Sequence, residues 1–366
     1  MSPRNFLILL VITVAAVAAA AVAGVIRPGD AVYANLGDPV VPGLIDNLND
    51  LQSIRIESQS GGVLTFQRTD QDAADATGAK WGIVERDLYP VKTKQVNSLA
   101  VRVAELTYLA PKTATPELFS HLELQDPSAP GSKAIGLKMT GNDGSVMADM
   151  IIGKARSTLE GSAQGGTYFR KPGGERAWFA KGSVEIGKLI SEWIETDIFD
   201  IKTKRIRRAE ITYPDGDSLA IFKDKEEDLD FTLIGVPAGK KVKSRFAVNG
   251  FAATIDEYRI QDVARRDKHP IDPAKATKVI YETFDGLKVT ALIQLPETEA
   301  ASATPAARPS DNPEYWVALT VEGGEGTAEA DDLRARTAPW VFRISDYRYD
   351  AIAKRKSDML EDAGGS

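Results

Sequence analysis

The chain has 366 residues, of which 43% are hydrophobic and 27% charged, with a formal net charge of −7. That length and balance leave room for two domain-sized cores and exclude a disordered chain. The acidic excess argues against nucleic acid as the main partner, because phosphate binding needs positive potential. The lack of any cysteine excludes disulfides, thiolate metal sites, a cysteine nucleophile and a lipidated N-terminal cysteine.

Residues 6–26, FLILLVITVAAVAAAAVAGVI, run for 21 residues without a charge. As a helix they would span about 31 Å, the hydrocarbon thickness of a bilayer. Residues 1–27 are therefore read as a transmembrane anchor. Ala21-Val22-Ala23 offers a small-residue cleavage site, so a signal peptide is the alternative, but the run is long for one and an uncleaved anchor is favoured. With Arg4 before the segment and only a short leading tail, the simpler topology keeps the N-terminus inside and the body outside.

Residues 28–43 carry Pro28-Gly29, Gly37-Asp38-Pro39 and Pro42-Gly43 and read as a linker. Leu44, Ile45, Leu48 and Leu51 then recur at helical spacing, which predicts a short helix. Next comes SIRIESQSGGVLTFQR over residues 53–68, which returns without a gap as RAEITYPDGDSLAIFK over 208–223. In both, apolar residues alternate around a polar turn, the pattern of a β-hairpin with one buried face. Trp81-Gly82-Ile83 predicts a further strand, and 91–109 a helix with Val96, Leu99, Ala100 and Val103 on its apolar face. The second copy repeats this with Phe231-Thr232-Leu233 and with Val248, Phe251, Ala252 and Ile255. This strand, strand, strand, helix plan is unit A.

Unit B follows each A. Its first copy holds hairpins over 137–152, turning at Asn142-Asp143-Gly144, and 167–181, turning at Pro172-Gly173-Gly174. A helix is expected from Val184, with Ile186, Leu189, Ile190, Trp193 and Ile194 inward. The second copy has a hairpin over 279–293 turning at Asp285-Gly286, a strand over 315–321, Trp340-Val341-Phe342 in place of Trp178-Phe179-Ala180, and a charged helix over 346–360. The expected fold is thus α+β, with duplicated antiparallel β-hairpin/helix units in the order A-B-A-B after one N-terminal transmembrane helix. The first half covers 44–200, the second 201–360, and 361–366 is a disordered tail. Residues 296–313 and 322–332 read as mobile loops.

Several stretches invite a chemical reading. Gly182-Ser183-Val184-Glu185-Ile186-Gly187-Lys188 has the spacing of a phosphate-binding loop, but Leu189 stands where such a loop needs Ser or Thr for magnesium. A helix capped by Ser183 explains it better. The two histidines, His121 and His269, lie in connectors near Glu123, Asp126, Asp267 and Asp272; neither has a histidine at i+3 to i+5, so exposed connector residues outweigh a metal pair. No G-x-S-x-G accompanies them for a serine triad. Residues 224–230, DKEEDLD, are dense in oxygen ligands yet lack the glycine and closing glutamate of a calcium loop. The basic runs 202–208 and 240–245 suit anionic headgroups, or simply exposed faces. Trp178, Trp193, Trp316 and Trp340 fall at inward positions and read as core. No catalytic, cofactor-binding or metal residue is assigned, and no cofactor is expected.

With the plan laid out, the chain resembles the bacterial family called domain of unknown function 4340. The resemblance rests on Asn49-Asp50-Leu51-Gln52-Ser53-Ile54-Arg55-Ile56, on Trp81-Gly82-Ile83 before Tyr89-Pro90-Val91, on the connector Leu122-Glu123-Leu124-Gln125-Asp126-Pro127, and on Ile152-Gly153-Lys154 before Gly166-Thr167-Tyr168-Phe169-Arg170. It covers residues 40–200 well and the rest loosely. The family's connector usually reads aromatic-Gly-Leu-x-x-Pro, and Leu122-Glu123 replaces its first two positions. The resemblance implies one membrane segment, a large body facing the periplasm from the bacterial inner membrane, and a place beside ABC-type transporters of the gliding-motility kind. The resulting expectation is a non-catalytic accessory or scaffold subunit whose partners are transporter subunits. The alternative is a periplasmic binding module for an envelope glycan, lipid or peptide, held in a cleft between the two A–B halves.

Overall fold

The computed structural model describes residues 13–14, 35–69, 81–159, 165–256, 258–295, 314–323 and 328–363. Over them the protein is a mixed α+β fold of antiparallel strands with few helices. The expected anchor at 6–26 and the loop at 296–313 lie outside the described residues, Thr13 and Val14 apart. Among those described, no helix is long and apolar enough to cross a membrane. The chain divides into two compact units, one of Met1–Gly62 and Asn97–Ile186, the other of Val63–Val96 and Gly187–Ser366. These units do not follow the 44–200 and 201–360 halves.

In chain order, β1 (Leu51–Ser58), β2 (Gly62–Arg68), β3 (Trp81–Ile83) and β4 (Tyr89–Pro90) precede helix α1 (Thr93–Ala104). Then come β5 (Thr107–Pro111), β6 (Ile135–Gly141), β7 (Val146–Arg156), β8 (Gly166–Arg170) and β9 (Trp178–Lys181). After β10 (Ile206–Thr212), β11 (Ser218–Phe222), β12 (Thr232–Leu233) and β13 (Lys240–Val242) follow α2 (Arg245–Ala252) and β14 (Asp262–Arg265). The chain closes with β15 (Thr277–Thr283), β16 (Lys288–Gln294), β17 (Tyr315–Glu322), α3 (Ala328–Thr337), β18 (Trp340–Ile344), α4 (Asp346–Ile352) and β19 (Leu360–Asp362).

In the first unit the strands neighbour one another in the order β1-β6-β7-β8-β9-β5. Alternation fixes the register: Ile54 lies opposite Met139 and Ile56 opposite Leu137, and all four are buried. Phe119, Leu124, Ile151, Tyr168 and Phe179 form part of a shared core cluster. The connector seen in the family resemblance crosses close above β7, where a Cβ at Gly153 would collide with the carbonyl oxygen of Leu122. Glu123 itself is left-handed, with φ 57°. The edge strand β5 is covered by the end of the expected linker. Gly37 donates its N–H to the Tyr108 carbonyl at 2.8 Å, Val40 donates to Leu106 at 2.8 Å, and Val40 is buried. The spacer therefore stops short of residue 43.

In the second unit the order is β10-β15-β16-β17-β18-β14, with β11 and then β12 on the far side of β10. The expected hairpins at β10–β11 and β15–β16 form as read. Ser244 caps α2 by accepting the Phe246 N–H at 3.2 Å, and Val248, Phe251, Ala252 and Ile255 are all buried. Also in this unit, β3 pairs with β2 and with β4.

Several elements differ from expectation. The helix from Val184 is absent; only Ile190–Glu192 makes a 3-10 turn. Gly182 and Gly187 interrupt the run, Val184, Ile186 and Ile190 are β-branched, and Leu189 is exposed rather than inward. Residues 42–47 form turns before the 3-10 turn Leu48–Asp50, and Leu51 opens β1. The expected loop at 322–332 gives way at its end to α3. The charged helix of 346–360 stops at Ile352. The tail begins later than 361, because Glu361 and Asp362 pair with Lys241 and Lys240 in β13–β19.

Candidate ligand-binding cleft

Within the second unit a cleft of about 480 Å³ opens beside the edge strand β14. One wall is the turn Val84–Asp87 after β3; the others are β14 with Lys268 and His269, and the start of β17 at Glu314 and Trp316. It therefore joins residues from both sequence halves inside one compact unit. The turn has a local cause. Asp87 and Leu88 both take left-handed backbone, with φ 53° and 61°, and Leu88 donates its N–H back to the Ile83 carbonyl at 2.9 Å. This brings the Leu88 backbone so close to Gly82 that a Cβ there would collide with it. Two consecutive non-glycine residues in this region hold strain of about 1–3 kcal/mol each, which surrounding contacts must offset.

Several charged groups of the cleft are held in pairs. Arg86 donates Nε to Asp262 Oδ1 at 2.7 Å and Nη2 to Oδ2 at 2.8 Å, and its Nη1 reaches the Glu85 carbonyl at 2.8 Å. Asp262 is buried, and it also accepts the Val263 N–H at 2.7 Å. The carboxylate thus satisfies an edge-strand donor and blunts β14 against strand addition. Its hydrogen bonds hold the Arg86 guanidinium above the ordinary arginine pKa. Lys268 pairs with Asp87. Glu314 accepts Arg343 Nη1 at 2.9 Å and Trp316 Nε1 at 3.3 Å, so its plane is fixed from two sides.

Aromatic rings line the same region. His269 packs on Trp316 with ring centroids 4.5 Å apart. Its Nε2 is buried and has no hydrogen-bond partner among the described residues. The Arg265 guanidinium lies over Trp340 at 5.1 Å, and Tyr89 meets Trp340 edge-on at 4.9 Å. Burial pushes the Tyr89 phenol up to about 12.

The structure places the other candidates elsewhere. His121 is exposed on the 3-10 segment Pro116–Leu122 of the first unit. Among the described residues no three His, Asp or Glu side chains gather to hold a metal ion. Residues 182–188 form no helix for Ser183 to cap: the Val184 N–H goes to Thr167 Oγ1 at 2.9 Å, and Lys188 and Leu189 donate to Glu192 Oε2 at 2.7 Å. The acid-rich loop 224–230 is organised by an ammonium. Lys223 Nζ donates to the carbonyls of Lys204, Glu226 and Asp228 at 2.7, 3.1 and 3.4 Å. In the basic runs, Lys202, Arg205 and Arg208 have acid partners, as do Lys240, Lys241 and Arg245. Trp193 is core, while Trp178, Trp316 and Trp340 are only partly buried. Sequence reading singled out His269 and Trp316 but missed Arg86 and Asp262, whose pairing spans 176 residues of chain and leaves no local pattern.

Comparison with curated proteins and with solved structures gave no match. The family model described as domain of unknown function (DUF4340) matches residues 81–311, more than half of the 366. The match contains the Val84–Asp87 turn, β14 and His269, and ends just before Glu314. This chain belongs to the DUF4340 family.

Proposed function

We propose that this protein is a membrane-anchored, extracytoplasmic, non-catalytic accessory or scaffold subunit of an ABC-type transporter complex. In this reading residues 6–26 hold it in the bacterial inner membrane and the body faces the periplasm. The observation that carries it is the charge-free 21-residue run ahead of an acidic, sheet-rich body. The body is a duplication. In support, β1-β6-β7-β8-β9-β5 and β10-β15-β16-β17-β18-β14 follow the same order, strand for strand. The repeat extends to contacts: Arg68 lies over Trp81 at 5.3 Å, and its counterpart Lys223 lies over Phe231 at 5.2 Å.

The test is affinity purification of the tagged full-length protein from native membranes, beside a truncation starting at Asp30. Transporter subunits are expected with the full-length protein. Their recovery with both proteins places the contact on the body. Capture of the full-length protein alone overturns the scaffold reading.

The second reading, a binding module for an envelope glycan, lipid or peptide, is favoured by one feature, the cleft beside β14. Its charges are already paired, which suits recognition better than proton transfer. Stabilisation of the protein by an envelope fraction in a thermal-shift assay is the expected outcome, and no shift with any fraction counts against it.

A further inference from the structure

We propose that the cleft beside β14 binds a neutral polyhydroxylated ligand, a sugar chain. This deepens the binding-module reading and is independent of the scaffold reading.

Charge selects against ionic ligands. Glu85, Asp87, Asp262 and Glu314 face Arg86, Arg265 and Lys268 across the cleft, and Arg86, Lys268 and Glu314 are engaged in ion pairs. An anion or a cation must break one of these pairs or lie against its own sign, and opening the largely buried Arg86–Asp262 pair costs more than a replacement returns. A hydroxyl group breaks nothing. It donates to a carboxylate oxygen that retains a lone pair, and accepts from a guanidinium N–H, while both planes stay where they are.

Fixation makes those planes useful. The Arg86–Asp262 pair is bidentate and largely buried, so its remaining positions are preorganised and little side-chain entropy is lost on binding, while two donors orient the more exposed Glu314. Trp316, with His269 packed on its ring at 4.5 Å between centroids, gives the cleft an aromatic patch against which the C–H face of a sugar ring can pack. A volume of about 480 Å³ lies within the range of small-ligand sites, and its largely polar lining disfavours a lipid chain. The left-handed pair Asp87–Leu88 at the rim is the kind of backbone strain that gathers at ligand sites.

The experiment is a tryptophan-fluorescence titration of the full-length protein in a non-glycosidic detergent. The neutral probes are cellotetraose, maltotetraose and tetra-N-acetylchitotetraose; the charged probes are trigalacturonate and trialanine. A saturable change with at least one neutral sugar is expected at millimolar concentration or below. Trp316→Ala should weaken it by about tenfold or more, Trp316→Phe should restore most of the affinity, and Trp178→Phe should leave it unaltered. Glu314→Gln, which keeps the side-chain shape, should weaken binding with little effect on thermal unfolding. The proposal is overturned by no saturable change with any neutral sugar, by tighter binding of either charged probe, or by affinity indifferent to Trp316→Ala. Transporter subunits in the purification above would stand in any of these cases.

Discussion

Lys223 is 4% exposed, and its ammonium sits where three main-chain carbonyls converge, between the rings of Phe231 and Phe284 at 5.2 and 5.6 Å. Burial lowers its pKa below the ordinary lysine value, and Glu226, Asp228 and Glu227 oppose that shift. The run 224–230 therefore turns two of its main-chain carbonyls onto a cation supplied by the chain itself. Replacing Lys223 by Met keeps the length and the apolar stem but strands the carbonyls. A loss of about 2–4 kcal/mol follows in urea unfolding. Lys223→Arg should recover less than half of it, because a planar fork does not match three converging carbonyls. Unchanged stability in Lys223→Met would mean that Asn249, which accepts the Phe231 N–H at 2.9 Å, holds the loop unaided. The sequence announced this run as acidic and unlike a calcium loop; it did not show that a lysine outside the run organises it, because burial of Lys223 depends on β10–β11 pairing.

At the scale of elements, alternation and helical spacing were legible wherever burial decided the structure. Ile54, Ile56, Leu64 and Phe66 are buried as read, and so are the faces of α1 and α2. The reading failed at 184–194, where apolar spacing imitated a helix over residues that resist one. It was also blind to backbone sign. The connector Leu122-Glu123-Leu124 resembles a family pattern with glycine at the second position, and Glu123 occupies that place in a left-handed conformation, φ 57°, ending the segment Pro116–Leu122. Its carboxylate, 31% exposed, makes only a loose ion pair at 3.7 Å with the largely solvated Lys133. Such a pair is worth about 0–1 kcal/mol, while a non-glycine residue in this region costs about 1–2 kcal/mol. Glu123→Gly should then stabilise the first unit by roughly 0.5–1 kcal/mol, after the extra chain entropy of glycine. Raised thermal midpoints confirm it; a lowered midpoint means the ion pair or the neighbouring packing outweighs the strain. The cleft turn Asp87–Leu88 was missed for the same reason, since nothing in VERDLYP marks two positive φ angles in a row.

For the whole molecule, composition fixed the acidic charge and alternation announced the antiparallel strands, while the site emerged only once distant segments met. Alkaline pH probes that assembly in the second unit. Tyr89 and Tyr281 are 8% and 2% exposed, and burial pushes each phenol up to about 12 from 10.0. Both pKa values are raised by folding, so the stability they carry is whole below pH 10 and is lost as pH rises toward 12, where the unfolded chain releases protons that the folded one retains. A shift of this size is worth about 2–3 kcal/mol per group at the top of the window. Tyr213 and Tyr258 are displaced upward by burial as well, so the losses accumulate in one unit. Unfolding between pH 10 and 12 should therefore be cooperative, with phenolate absorbance rising together with the loss of circular dichroism rather than before it. Tyr89→Phe, which removes no hydrogen bond among the described residues, should flatten the dependence. Tyr281→Phe should flatten it too, but from a lower starting stability, since it also loses the 2.6 Å bond to Thr254. Phenolate absorbance that saturates near pH 10 with the fold intact would show these rings to be in contact with water, and the packing of Tyr89 against Trp340 would have to be redrawn.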